Sequence, residues 1–264
     1  MRSRLLFVGL CLFAAMATLF PSSVSAATDT RVYELRTYTT LPGRQEALLA
    51  RFRDHTTSLF AKHGMTNVGY WQPVDAANGA GSTLTYLLAY PSREAAKASW
   101  KAFGGDPEWQ KAKAASETDG KIVAKVESLF LAPTDFSPSI ESAAASKARI
   151  FELRTYTTEE GRLDALDARF RDHTRGFFKQ YGMTNVAYFH PLDADKGAGR
   201  TLVYLLAHKD REAATASWTA FRADPKWTAA KVASEKAAGG SLTIAGPAGI
   251  KSVFLAPTDF SKMK

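Results

Sequence analysis

The chain states one phrase twice. Arg31-Val-Tyr-Glu-Leu-Arg-Thr-Tyr-Thr-Thr40 returns as Arg149-Ile-Phe-Glu-Leu-Arg-Thr-Tyr-Thr-Thr158, and residues 31–117 align with 149–235 at an ungapped offset of 118, identical at 55 of 87 positions. Self-similarity of that extent marks a duplicated domain. Whatever fold serves one copy must serve the other, and a single chain must hold both.

Each copy reads as β-α-β-β-α-β. The opening phrase alternates as a strand, with Tyr33, Leu35 and Thr37 on one face and Glu34, Arg36 and Tyr38 on the other. Pro42-Gly43-Arg44 opens a helix whose apolar stripe runs through Leu48, Leu49, Phe52, His55, Leu59, Phe60 and His63 to the stop at Gly64. Met65–Pro73 and Ser82–Tyr90 read as two strands of a long hairpin, the second placing Leu84, Tyr86, Leu88 and Tyr90 on one side. Ser92 caps a second helix that carries Trp100 and Phe103, and Asp106-Pro107 restarts a short one with Trp109. Ile122–Leu131 alternates as the last strand. The second copy repeats every element but adds about six residues within Gly239–Gly249, which should form a surface loop.

This order is the split βαβ arrangement, an α+β fold with an antiparallel sheet and helices on one face. Such a sheet leaves its second face in need of a partner, so tandem ferredoxin-like domains are expected to close face to face into an intramolecular dimeric α/β barrel. The apolar face of the first strand should then pack under helices, and Glu34, Arg36, Glu152 and Arg154 should meet near the seam. The expected divisions are a leader at 1–26, a first domain at 29–137, a linker at 138–148 and a second domain at 149–261.

The leader reading rests on Arg2 and Arg4, the apolar run Leu5–Phe20 and the small residues Val24-Ser25-Ala26, the pattern of a cleaved secretory signal peptide. The run is shorter than the ~20 residues a spanning helix needs. Export to the periplasm or beyond is therefore expected, with cleavage near Ala26. The single cysteine, Cys11, lies inside this segment, so the mature chain has no disulfide and no cysteine nucleophile. Net charge falls from +8 to +6 with the leader removed, and basic residues are interleaved with acids, which argues against a polyanion-binding protein. The export signal and the Glu34–Arg36 strand, which lacks stacking aromatics, exclude RNA binding on the sheet.

Tyr33-Glu-Leu-Arg-Thr-Tyr38, His55 with Leu59-Phe60, His63-Gly-Met65, Gly69-Tyr-Trp71, Tyr86-Leu-Leu-Ala89 and Asp106-Pro-Glu-Trp109 together resemble the NIPSNAP family, within the ferredoxin-like dimeric α/β-barrel group. The resemblance covers nearly all of both copies. It implies the barrel fold; at the level of function it is similar to a group whose members host many roles. The second copy departs at Phe189 for Trp71, Tyr181 for His63 and Lys226 for Glu108.

His55 and His173 are candidate proton-transfer groups, because their spacing from Leu48 and Leu166 places them toward the buried stripe. The ligand-binding candidates are Tyr33, Glu34, Arg36, Tyr86, Trp100 and Phe103, with Glu152, Arg154, Tyr204 and Trp218. The arginines suit a carboxylate and the aromatics an apolar or aromatic body. No metal-ligand spacing, dinucleotide fingerprint, phosphate loop or nucleophile elbow is present, so neither metal nor cofactor is expected. The leading expectation is an exported module binding a small apolar or aromatic ligand, or a protein partner. The alternative is a cofactor-independent monooxygenase or isomerase using His55. The internal pseudo-dimer suits a monomer, and a homo-oligomer remains compatible with it. The repeated Leu131-Ala-Pro-Thr-Asp-Phe-Ser137 and Leu255-Ala-Pro-Thr-Asp-Phe-Ser261 read either as strand ends, broken by proline and followed by a capped turn, or as chain-end clamps whose phenylalanine docks onto a neighbour, with the strand-end reading slightly favoured.

Overall fold

Each copy builds the expected elements, and the two close on one another. The computed structural model describes residues 29–140 and 149–264; the leader expected at 1–26 and residues 141–148 of the expected linker lie outside the described residues. The first copy runs β1 (Val32–Thr40), α1 (Gln45–Arg51), a π-helical turn (Phe52–Thr56), α2 (Thr57–Lys62), β2 (Thr66–Pro73), β3 (Thr83–Tyr90), α3 (Arg93–Gly105), α4 (Pro107–Ser116) and β4 (Val123–Pro133). The second runs β5 (Ile150–Thr157), α5 (Leu163–Arg169), a second π-helical turn (Phe170–Thr174), α6 (Arg175–Gln180), β6 (Thr184–Pro191), β7 (Thr201–His208), α7 (Arg211–Ala223), α8 (Pro225–Ala237) and β8 (Ile250–Pro257). Ser92 Oγ accepts from Ala95 N at 3.1 Å and Asp210 from Ala213 N at 2.7 Å, the capping bonds that start α3 and α7.

The strands form one closed barrel in the order β1-β3-β2-β8-β5-β7-β6-β4. Its two seams are short: Trp71–Pro73 pairs with Leu255–Pro257, and Leu131–Pro133 pairs with Phe189–Pro191. The repeated tails reinforce them by crossing to the opposite half. Ser137 Oγ accepts from Tyr188 N at 3.0 Å while Phe136 packs on the Tyr188 ring; Ser261 Oγ accepts from Tyr70 N at 3.0 Å while Phe260 packs on Phe52 and Tyr70. Arg53–Asp259 and Arg171–Asp135 bracket the same contacts, and Arg93–Asp193 with Arg211–Asp75 tie each α3 or α7 start to the other half. These are chain-end clamps, the less favoured of the two readings of the repeated heptapeptide.

The facing of β1 is the reverse of the expectation. Tyr33 and Leu35 point into the barrel with Trp71, Leu87, Leu131, Phe151, Phe189, Leu205 and Leu255, whereas Glu34, Arg36 and Tyr38 lie under the helices. The register explains it: Glu34 pairs with Leu88 and Arg36 with Tyr86, and that face of β3 is the one α1–α3 cover. Glu34, Arg36, Glu152 and Arg154 therefore do not meet at the seam. The barrel interior is instead an apolar core from both halves, with a residual void of about 20 Å³, room for roughly one water.

The histidines are also displaced. His55 and His173 are exposed, and Thr56 and Thr174 occupy the buried positions beside them. The cause is the π-helical turn in the identical run Arg-Phe-Arg-Asp-His-Thr: one extra residue per turn rotates the following side chains off the α-helical phase. Thr56 Oγ1 and Thr174 Oγ1 donate to the carbonyls of Arg51 and Arg169 at 3.0 and 3.1 Å, which satisfies the loosened backbone.

Candidate ligand-binding site

Between sheet and helices each half carries a buried carboxylate built from one strand and closed by its neighbours. In the second half Glu152 accepts from Arg154 Nη1, Ser252 Oγ (2.6 Å), Trp218 Nε1 (2.7 Å) and His208 Nε2 (3.0 Å). Arg154 Nε donates to the Tyr204 hydroxyl at 2.8 Å, and its guanidinium lies 4.3 Å from the Trp218 ring centre. In the first half Glu34 accepts from Arg36 Nη1 (2.5 Å), Ser128 Oγ (2.6 Å), Trp100 Nε1 (2.7 Å) and the Tyr90 hydroxyl (2.8 Å), and Arg36 Nε donates to Tyr86 at 3.0 Å. His208 thus stands where Tyr90 does in the first copy, with its Nδ1 buried and unpartnered.

Burial alone would raise the Glu152 carboxyl, but the His208 hydrogen bond, the Arg154 charge, Ser252 and Trp218 outweigh it and bring the pKa to about 2. Arg154 is held above its ordinary value because Tyr204, Tyr156 and Glu152 together overcome the larger single effect of burial. Both groups stay charged, and the pair orients Trp218 and Tyr204.

Beside this pair a cavity of about 500 Å³ opens in the second half, within the range of small-molecule sites. β5 supplies Arg154 and Tyr156, and α5 with its π turn supplies Arg169, Phe170 and Thr174. Phe178 comes from α6, Trp218, Phe221 and Arg222 from α7, and Trp227, Lys231 and Glu235 from α8. Thr243, within the Gly239–Gly249 stretch, and Ile250, the first residue of β8, complete the rim. The aromatic rings form a continuous wall: Phe178–Trp218 and Phe178–Phe221 centres are 5.3 and 5.2 Å apart, and Phe221–Trp227 are 4.4 Å apart.

Of the residues named from sequence, Arg154 and Trp218 line this cavity, Glu152 holds both from behind, and Tyr204 is fully buried against Arg154. Glu34, Arg36 and Trp100 border an open groove of about 630 Å³ along α3, with Ser128 and Phe130. Phe103 is core, stacked near Trp109, and Tyr86 is buried under the helices. Tyr33 is in the barrel interior, where its hydroxyl donates to Asp29 at 2.5 Å. His55 lies on the outer surface, away from these sites. His173 borders a groove of about 330 Å³ between α5 and α8 that shares Arg169 with the cavity. Sequence reasoning missed Arg169 itself, although an arginine three residues after Leu166, in the middle of an apolar stripe and repeated as Arg51 after Leu48, was a signal that both sit inside.

Tyr181 in place of His63 is a structural exchange. Tyr181 donates to Asp224 at 2.6 Å where His63 meets Asp106 at 2.6 Å, so both fix the cap of the following helix.

A family model described as NIPSNAP matches residues 33–138 and 151–262. No curated protein matches the sequence. Among solved structures, a Lactobacillus acidophilus NCFM protein provisionally named a monooxygenase aligns over 87% of this chain and 94% of its own, at 10% identity and a TM-score of 0.53. An anthrone oxidase-like protein aligns over 89% and 95%, at 18% identity and a TM-score of 0.53. A NIPSNAP domain protein from Burkholderia xenovorans aligns over 41% of this chain and 99% of its own, at 21% identity and a TM-score of 0.35. At such identities the two long alignments bear on the fold alone.

Proposed function

The chain belongs to the NIPSNAP family, and from that premise we propose that it is an exported module that binds one small aromatic molecule in the helix–sheet cavity of its second half. The observation that carries this reading is the cavity itself, about 500 Å³ walled by Tyr156, Phe170, Phe178, Trp218, Phe221 and Trp227. A planar ring buried there removes apolar area from water on both faces. The closed barrel interior holds only about 20 Å³, and the open depression of about 800 Å³ that shares Leu35 with it is rimmed by Lys125, Glu127, Lys196 and Lys251 and has no aromatic wall. Export is supported by the leader pattern at 1–26.

Proton transfer by His55, the alternative drawn from sequence, gains no support, because the π turn carries that imidazole to the outer surface. The reading is that of a binding module. Native mass spectrometry of the chain purified from its host's envelope tests it: the expected species is the mature chain plus one small aromatic molecule. A chain that co-purifies with nothing and gains no mass when mixed with neutral bicyclic aromatics contradicts it.

A further inference from the structure

We propose that the second-half cavity selects an aromatic carboxylate, one per chain, whose anionic end is held by Arg169 while its ring lies among Phe178, Trp218 and Phe221. This rests on the binding reading above and adds the charge, the anchor and the stoichiometry.

Arg169 is 6% exposed, yet its Nε and Nη1 have no hydrogen-bond partner. Its one ion-pair partner among the described residues, Glu235 Oε1, stands 3.5 Å from Nη1, longer than a good charge-assisted hydrogen bond, so the charge is partly compensated while the donors stay unsatisfied. The equivalent residue of the first copy shares the unpartnered Nε, but its Nη1 is engaged: Arg51 Nη1 donates to Ser116 Oγ at 3.2 Å and to Glu117 Oε1 at 3.1 Å, so Nη1 is the donor that differs. Sequence explains the difference. After Ser116 the first copy turns through Thr118-Asp119-Gly120, whereas Lys236-Ala237 continues α8, so Glu235 stays on the helix. There it takes the Lys231 ammonium at 3.2 Å; Ser234 donates to the Lys231 carbonyl just as Ser116 donates to that of Lys113, but only Ser116 also accepts from its arginine.

Burial, the largest influence, pulls Arg169 below its ordinary pKa and Glu235 offsets only part of it, the reverse of the outcome at Arg154. The lining carries Arg154, Arg169, Arg222 and Lys231; Glu152 neutralises Arg154 from behind, and Glu235 alone faces the other three. A buried guanidinium with free donors is destabilising until an acceptor is supplied, and a carboxylate presents two oxygens to its planar fork. The adjoining aromatic wall fixes what that carboxylate is attached to.

Isothermal titration calorimetry of the mature full-length chain with 2-naphthoate and its neutral isostere 2-naphthamide tests this. The expected result is one site per chain and a preference for the acid of about tenfold or more, the scale of a hydrogen bond to a charged group. R169M should bring the two probes within about threefold by weakening only the acid, and R51M should change neither. E235Q, which removes the competing carboxylate and disturbs no core packing, should tighten naphthoate several-fold; it decides the matter even if R169M does not fold. Binding of neither probe overturns the aromatic-ligand reading and this inference with it. Binding of both without preference for the acid overturns only the carboxylate assignment. A preference that survives R169M, a stoichiometry of two, or no gain with E235Q also overturns it.

Discussion

The Trp71 indole lies across Gly69, so close that a methyl group on the glycine would sit 2.3 Å from the ring. The second copy carries Ala187 at that position and the smaller Phe189 in place of the tryptophan, so the two differences between the copies are one exchange. G69A should therefore destabilise the protein by about 1–3 kcal/mol, the range for overpacking. In the G69A/W71F double mutant the two losses should fall short of their sum by about 1 kcal/mol or more in urea unfolding. Additive losses would show that the two positions do not share space.

The crossed tails predict that neither half unfolds alone. Phe136 leaves the first copy to pack in the helix-side core of the second, and Phe260 does the reverse. F136A should cost about 3 kcal/mol, as for a buried phenylalanine, and should lower the stability of the whole chain. Urea transitions followed by tryptophan fluorescence and by far-ultraviolet circular dichroism should coincide in wild type and variant. Separate transitions would mean that the seams are too weak to couple the halves.

The Glu152 carboxyl gives a signed pH dependence. Its pKa is depressed from 4.5 to about 2 in the folded state, so its stabilisation is complete above about pH 4.5 and is lost as the pH falls through about 2. The increment is about 3 kcal/mol. E152Q should lose it at neutral pH and show a shallower fall in stability between pH 4.5 and 2. Parallel acid profiles for the two proteins would contradict the assignment.

The proposed export predicts a processed start. N-terminal sequencing of the protein recovered from the envelope or the medium should begin at Ala27, and deletion of residues 2–26 should retain the chain in the cytosol. An intact Met1 on exported protein would contradict cleavage.

The duplication, the element order and the helix caps were legible because each depends on local pattern; the crossing of the tails was not, since a proline-broken strand end has the same local signature. The facing of β1 was not, since alternation defines two faces without saying which one the helices cover. The register that pairs Arg36 with Tyr86 and Glu34 with Leu88 decides it, and inter-strand register is not written in either strand alone. His55 was misplaced because heptad spacing assumes α-helical phase and nothing in Arg-Phe-Arg-Asp-His-Thr announces a π turn. Arg169 differs from Arg51 only through a helix that runs a few residues further, a tertiary consequence that a gap-free alignment hides.

The crystal structure of the complex with 2-naphthoate tests the central claim most directly. The account predicts one naphthyl ring per chain against Phe178, Trp218 and Phe221, with the carboxylate facing Arg169. A ring in the barrel interior, against the first-half groove or beside His55 would contradict it.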